Sequence, residues 1–195
     1  MLITKVKAGS VSSLSDARFF AGMGVDWLGF DVNPTSESFV SVDLYKSLVG
    51  WVSGPKRVIE IPKQLDVNSI SKLIDDYLPE CIEAELSEIK NFNYDLPILA
   101  REQLENLNIN INKITSSVKY LILETNDNIF KHADLLKDIA RQTPILLSVS
   151  PDRKDIKKIL DELPVAGIAL RGSKEMQTGI KVYDYSELLE SLETE

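Results

Sequence analysis

Short apolar runs alternate along this chain with longer stretches in which apolar residues recur every three or four positions. The runs Leu2–Lys7 (ending near Gly9), Val25–Val32, Arg57–Ile61, Cys81–Leu86, Pro97–Ala100, Val118–Glu124, Pro144–Val149 and Val165–Leu170 read as strands. Ser13–Met23, Val42–Trp51, Val67–Tyr77, Phe130–Arg141 and Asp152–Leu163 read as helices, and Tyr185–Leu192 as a closing helix. Val67–Tyr77 carries Val67, Ile70, Leu73, Ile74 and Tyr77 at helical spacing. Ser13 or Ser15 caps the first helix, Asp16 sits in its first turn, and Gly24 closes it. In Glu102–Ser117, Leu104 and Leu107 fit a helix, but the asparagines around them disfavour one.

Eight continuous apolar strands, each followed by helix or helix-like chain, imply a parallel sheet covered by helices. Eight such units predict closure into a single (β/α)8 barrel spanning residues 1–195. A doubly wound open sheet is the structural alternative, and it usually needs fewer units. No Gly/Ser linker, charge block or low-complexity segment divides the chain.

At 195 residues the chain is ample for one domain and near the lower end for a complete barrel. Its 44% hydrophobic and 27% charged residues are those of an ordinary soluble domain. A net charge of -8 argues against nucleic acid, whose phosphates demand a basic surface, but leaves room for a local basic pocket holding one small anion. One cysteine, Cys81, cannot form an internal disulfide, so nothing implies secretion. No apolar run reaches membrane length, and the N-terminus lacks a signal-peptide pattern. The expectation is a cytoplasmic monomer or homodimer with no membrane partner, no metal and no cofactor.

The stretch Gly24-Val-Asp-Trp-Leu-Gly-Phe-Asp-Val-Asn-Pro-Thr-Ser-Glu-Ser-Phe-Val-Ser41 resembles, without a gap, the second strand and following loop of phosphoribosylanthranilate isomerase, G-A-D-x-x-G-F-x-F-x-x-x-S-P-R-Y-V-S. Asp16-Ala17 is similar to the family's first-helix start, and Lys5-Val-Lys-Ala-Gly9 resembles a worn K-x-C-G first strand. Tyr120-Leu-Ile-Leu-Glu124 resembles the sixth strand, and Gly179-Ile-Lys181 with Asp184 resembles the G-x-K-D after the eighth. The resemblance implies a (β/α)8 barrel that converts an aminoaldose phosphate to an aminoketose phosphate in tryptophan biosynthesis, an intramolecular oxidoreductase. That reaction needs a general acid, a general base and an anion clamp. In the family the base is the first-strand cysteine and the acid the sixth-strand aspartate.

This chain departs at several of those places. In one register Lys7 takes the cysteine's position; in the other Ala8 does. Lys7 acts as a base only with its pKa brought toward neutrality, and otherwise pairs with a carboxylate or points out at the rim. Glu124 replaces the aspartate, either as an acid displaced by one methylene or as a carboxylate capping loop amides. An error of about 1 Å costs roughly a hundredfold in rate. Ser38, preceded by Glu37, stands where the family has the arginine that helps hold the anthranilate carboxylate. The glycine-rich phosphate loops become Thr125-Asn-Asp-Asn-Ile129 and Ser148-Val-Ser-Pro151. The eighth-strand loop keeps Arg171, Gly172 and Ser173 as candidate phosphate ligands, with Ser148 and Ser150 assisting; the alternative is a solvated turn. Gln-Leu-His-Gly after the fourth strand becomes Glu83-Ala-Glu-Leu86. His132 reads as a surface helix residue and Cys81 as core.

Three functions remain in view. One is an isomerase using Lys7 and Glu124; one is a repurposed or non-catalytic barrel holding another small phosphorylated or anionic metabolite; one is a lyase- or aldolase-like barrel with a Schiff-base lysine. Base, carboxylate clamp and two phosphate loops all depart together, and each lost electrostatic contact removes about 3 kcal/mol or more. The expectation is therefore family descent with weak or lost turnover.

Overall fold

The computed structural model describes residues 1–89, 92, 94–107, 117–172, 175–177, 180–181 and 184–194. Its strands are β1 (Lys5–Gly9), β2 (Trp27–Asp31), β3 (Lys56–Glu60), β4 (Cys81–Glu85), β5 (Ile98–Gln103), β6 (Val118–Glu124), β7 (Ile145–Ser148) and β8 (Gly167–Arg171). Each pairs in parallel with the next, and β8 pairs with β1, which closes the barrel and rules out the open sheet. Helices α1 (Leu14–Gly22), α2 (Val42–Val49), α3 (Val67–Tyr77), α4 (Ala133–Ala140), α5 (Ile156–Glu162) and α6 (Ser186–Ser191) follow strands as the periodicity predicts. A small antiparallel hairpin, β9 (Glu175–Gln177) and β10 (Ile180–Lys181), follows β8. None of the described helices is long and apolar enough to cross a membrane.

Local chemistry sets the element ends. Ser13 accepts from the Asp16 amide at the start of α1, Asp66 accepts from Ser69 at the start of α3, and Gly24 turns the chain at φ 77° after α1. The first strand begins at Lys5 rather than Leu2, because Leu2 bridges Glu193 instead. Helix α5 begins at Ile156, four residues later than expected, because Ser150 donates to Asp152 (2.6 Å) and Arg153 to Asp155 (2.5 Å), which holds the intervening chain as a turn. The Phe130–Arg141 helix opens as a 3-10 turn, Ile129–His132, capped by Asn128.

Two units depart from strict alternation. No α-helix lies between β4 and β5 among the described residues; Ile89, Phe92 and Tyr94 pack on the core there, and the Tyr94 hydroxyl donates to Val67 O (3.0 Å). After β5 the described chain forms only a 3-10 turn, Leu104–Asn106, and 108–116 lie outside the described residues.

Strand alternation divides the core in two. Outward residues such as Val6, Leu28, Phe30, Ile59, Ile82 and Leu121 pack against the helices. Inward residues Trp27, Val58, Cys81, Leu99, Ile122, Leu146 and Ala169 form a separate apolar layer across the lumen. Burying one such aliphatic or aromatic side chain stabilises by roughly 1.5–3 kcal/mol. This layer seals the barrel below the site.

Candidate functional site

The next inward residue of each strand lies two positions farther along, toward the C-terminal mouth. Those residues are Gly29, Glu60, Glu83, Arg101, Glu124, Ser148 and Arg171, with Gly9 completing the ring through its pairing with Arg171. The strands thus change from apolar to mostly charged or glycine within two residues. Lys7 starts one layer lower, in register with Trp27 and Ala169, and its long side chain rises into the charged ring.

There Lys7 is 3% exposed. Its ammonium donates to Glu60 Oε1 at 2.5 Å and also pairs with Glu83. Glu60 accepts from the Ser10 amide (3.0 Å) and the Ser10 hydroxyl (3.1 Å), with Ser10 in the left-handed region at φ 53°. Glu83 meets Arg101 Nη1 at 3.3 Å, and Arg101 reaches Glu85 at 3.2 Å. Lys63 lies 3.6 Å from Glu85. The result is a continuous chain of charges, Glu60–Lys7–Glu83–Arg101–Glu85–Lys63, that alternates in sign.

Glycines at β1 and β2 make the space for it. A Cβ on Gly29 would sit 2.2 Å from Glu60 Oε1 and 2.8 Å from Lys7 Nζ; one on Gly9 would sit 2.5 Å and 2.6 Å from the same atoms. Two large side chains occupy the volume that two small ones vacate.

Burial pushes the Lys7 ammonium down, but the charges of Glu60 and Glu83 outweigh it and hold the pKa above its ordinary value. Burial likewise pushes Glu60 up, and Lys7 with the Ser10 donors brings it below the usual carboxylate range. Glu83 lacks the Ser10 contacts, and burial together with the Glu60 charge raises its carboxyl despite Lys7 and Arg101.

Above the ring a cleft of about 360 Å³ opens between the ends of β5 to β8. Gln103 and Glu124, register partners on β5 and β6, line one side, and the Gln103 amide donates to Glu124 Oε2 at 2.5 Å. Ser148, Ser150, Arg153 and Arg171 line the other. Ser148 is half-buried, while the Ser150 hydroxyl is engaged with Asp152. Arg153 is paired with Asp155, whereas the Arg171 guanidinium has no carboxylate partner among the described residues.

The structure thus brings Lys7, Glu124, Ser148, Ser150 and Arg171 to one end of the barrel. Ala8 is buried in the outer core, so of the two first-strand candidates only Lys7 faces the lumen. Lys5, on the same face by alternation, leaves the lumen at the opposite end: its side chain is 53% exposed and bound to Asp26 (2.5 Å). The Gly172 amide donates to Gly9 O (2.6 Å), which joins the β8 loop to β1. Ser173 lies outside the described residues, as does Gly179. Ser38 is half-buried in the β2–α2 loop, its amide donating to Ser36 (3.2 Å), and it does not line the cleft. His132 is not a helix surface residue: it lies in the 3-10 turn, half-buried, 3.9 Å from Asp127. Cys81 is buried in the apolar layer. Among the described residues no group of three or more His, Cys, Asp or Glu forms a metal site.

Glu60, Arg101 and Gln103 were not among the residues expected at the site. A signal for them exists: Val58-Ile-Glu60, Cys81-Ile-Glu83, Leu99-Ala-Arg101 and Ile122-Leu-Glu124 each place a charge two residues past an inward apolar residue on successive strands.

No sequence profile of a protein family matches this chain, and no curated protein matches it in sequence. Solved structures do match it in three dimensions. A monomeric form of the dimeric phosphoribosylanthranilate isomerase from Thermotoga maritima superposes with a TM-score of 0.74 at 14% identity, covering 97% of this chain and 100% of the other. The isomerase from Thermus thermophilus gives 0.72 at 16% identity, covering 96% of each chain. A phosphoribosylanthranilate isomerase in complex with reduced 1-(o-carboxyphenylamino)-1-deoxyribulose 5-phosphate gives 0.74 at 15% identity, covering 96% of this chain and 95% of the other. Over nearly its whole length, the chain has the (β/α)8 fold of the phosphoribosylanthranilate isomerases.

Proposed function

We propose that this barrel binds a small phosphorylated or other anionic metabolite at its C-terminal mouth and has weak or no phosphoribosylanthranilate isomerase activity. The observation that carries the reading is the engagement of Lys7 by Glu60 and Glu83. A general base must be unprotonated when it takes its proton, and a Schiff-base nucleophile must present a neutral amine. An ammonium held between two carboxylates meets neither condition. Lys7 is therefore a structural cation of the lumen, and Glu124 has no basic partner among the described residues.

The β7–β8 side supports anion binding. Arg171 presents a cation with no carboxylate partner among the described residues, and Ser148 adds a hydroxyl beside it. The isomerase complex with a 5-phosphate ligand, on the same fold, agrees with a phosphorylated ligand. The altered loops oppose phosphoribosylanthranilate: Pro151 has no amide proton for a phosphate, and Ser38 brings no cation where the resemblance puts the carboxylate-binding arginine.

Titration with inorganic phosphate, followed by amide chemical shifts, tests the anion site. Saturable shifts centred on Ser148 and Arg171 are expected, and Arg171→Ala should weaken binding about tenfold, the loss of one charge-assisted contact. Shifts confined to other surfaces, or no effect of Arg171→Ala, would overturn the reading.

A further inference from the structure

The mouth carries a carboxylate that the lumen network does not neutralise. Glu60 and Glu83 share Lys7, and Glu83 and Glu85 share Arg101. Glu124 has only the uncharged amide of Gln103, and no cation lies within ion-pair distance of it among the described residues. Arg101 feels its field, yet the guanidinium is already committed to Glu83 and Glu85. Glu124 is half-buried and faces the same cleft as Arg171.

The mouth is thus bipolar. One wall presents an unneutralised anion, oriented by Gln103, and the other an unneutralised cation. Strand β7 separates β6 from β8, so the strand ends stand about 10 Å apart, two interstrand spacings. Both side chains line the cleft of about 360 Å³, which has room for a short molecule. We infer that Glu124 receives an ammonium group of the ligand, so that the mouth takes a small molecule with an anion at one end and a primary amine at the other. The inference rests on the anion-binding reading for its other end. It makes Glu124 a specificity-determining residue, with Gln103 fixing its carboxylate.

The test compares two probes of equal length, 3-aminopropyl phosphate and propyl phosphate, titrated into the full chain by calorimetry. The amine should bind about fivefold tighter, the scale of one partly screened ion pair. Glu124→Gln, which keeps shape and removes charge, should erase that preference without weakening propyl phosphate. Arg171→Ala should weaken both probes alike. Equal binding of the two probes to the unmodified protein overturns the inference whatever the variant does, while sensitivity to Arg171→Ala would still uphold the anion site. A preference that survives Glu124→Gln also overturns it. Binding of neither probe, or binding indifferent to Arg171→Ala, overturns the anion site and the inference together.

Discussion

Replacing Lys7 with methionine is expected to destabilise the protein by about 3–5 kcal/mol in urea unfolding at pH 7, the cost of removing one partner from a buried ion pair. Methionine fills nearly the same volume, so the loss is electrostatic. Glu60 and Glu83 would remain in the lumen with Arg101 as the cation beside them, and of the two it pairs only with Glu83. The triple variant Lys7→Met, Glu60→Gln, Glu83→Gln should recover most of the stability, because it removes the buried charges together. If Lys7→Met unfolded at the same urea concentration as the unmodified protein, the lysine would not be held as described.

The pH dependence has a definite sign. Because the folded-state pKa of Lys7 is raised, its contribution is fully present below the unfolded-state lysine value and is lost as pH rises through the folded value. The unmodified protein should therefore lose more stability on the alkaline side than Lys7→Met does. On the acid side Glu60 and Glu83 oppose each other. The depressed Glu60 contributes stability that is lost as pH falls through its folded pKa, while the raised Glu83 gains relative stability as it takes its proton. The two carboxyls thus contribute opposite slopes on the acid side.

Gly29→Ala is expected to cost about 3 kcal/mol or more, by a different route. The new methyl carbon would stand 2.2 Å from Glu60 Oε1. A free carboxylate would swing aside. This one is held by Lys7 and by both the amide and the hydroxyl of Ser10, so moving it breaks the buried pair. Gly22→Ala is the control, because a Cβ there meets nothing within 4 Å; it should be neutral or slightly stabilising. Equal unfolding midpoints for Gly29→Ala and Gly22→Ala would show that the lumen tolerates displacement of Glu60.

Much of the fold was legible in the sequence because each strand is a short, nearly continuous apolar run and the main helices carry their caps. Val67–Tyr77 and Val118–Glu124 appear in the structure with those same limits. The helix starts that moved did so through side chain contacts across a few residues, such as Ser150 with Asp152, which periodicity does not register. Strand alternation puts Lys5 and Lys7 on one face, but it does not register that Lys5 turns out of the barrel to pair with Asp26. The partners of Lys7 were the least legible part. Glu60 and Glu83 lie 53 and 76 positions away along the chain, and only the closed barrel turns them into the same lumen as Lys7. Gly172 read as a phosphate ligand because glycine frees an amide, yet that amide is used to join the β8 loop to β1.

The proposed role of Lys7 as an ion-pair residue leaves phosphoribosylanthranilate isomerisation weak or absent. Incubating the purified protein with phosphoribosylanthranilate and following the appearance of the aminoketose phosphate by NMR tests it most directly. Conversion is expected at, or barely above, the rate without protein. Turnover well above that rate, abolished both by Lys7→Ala and by Glu124→Gln in variants that remain folded, would contradict it.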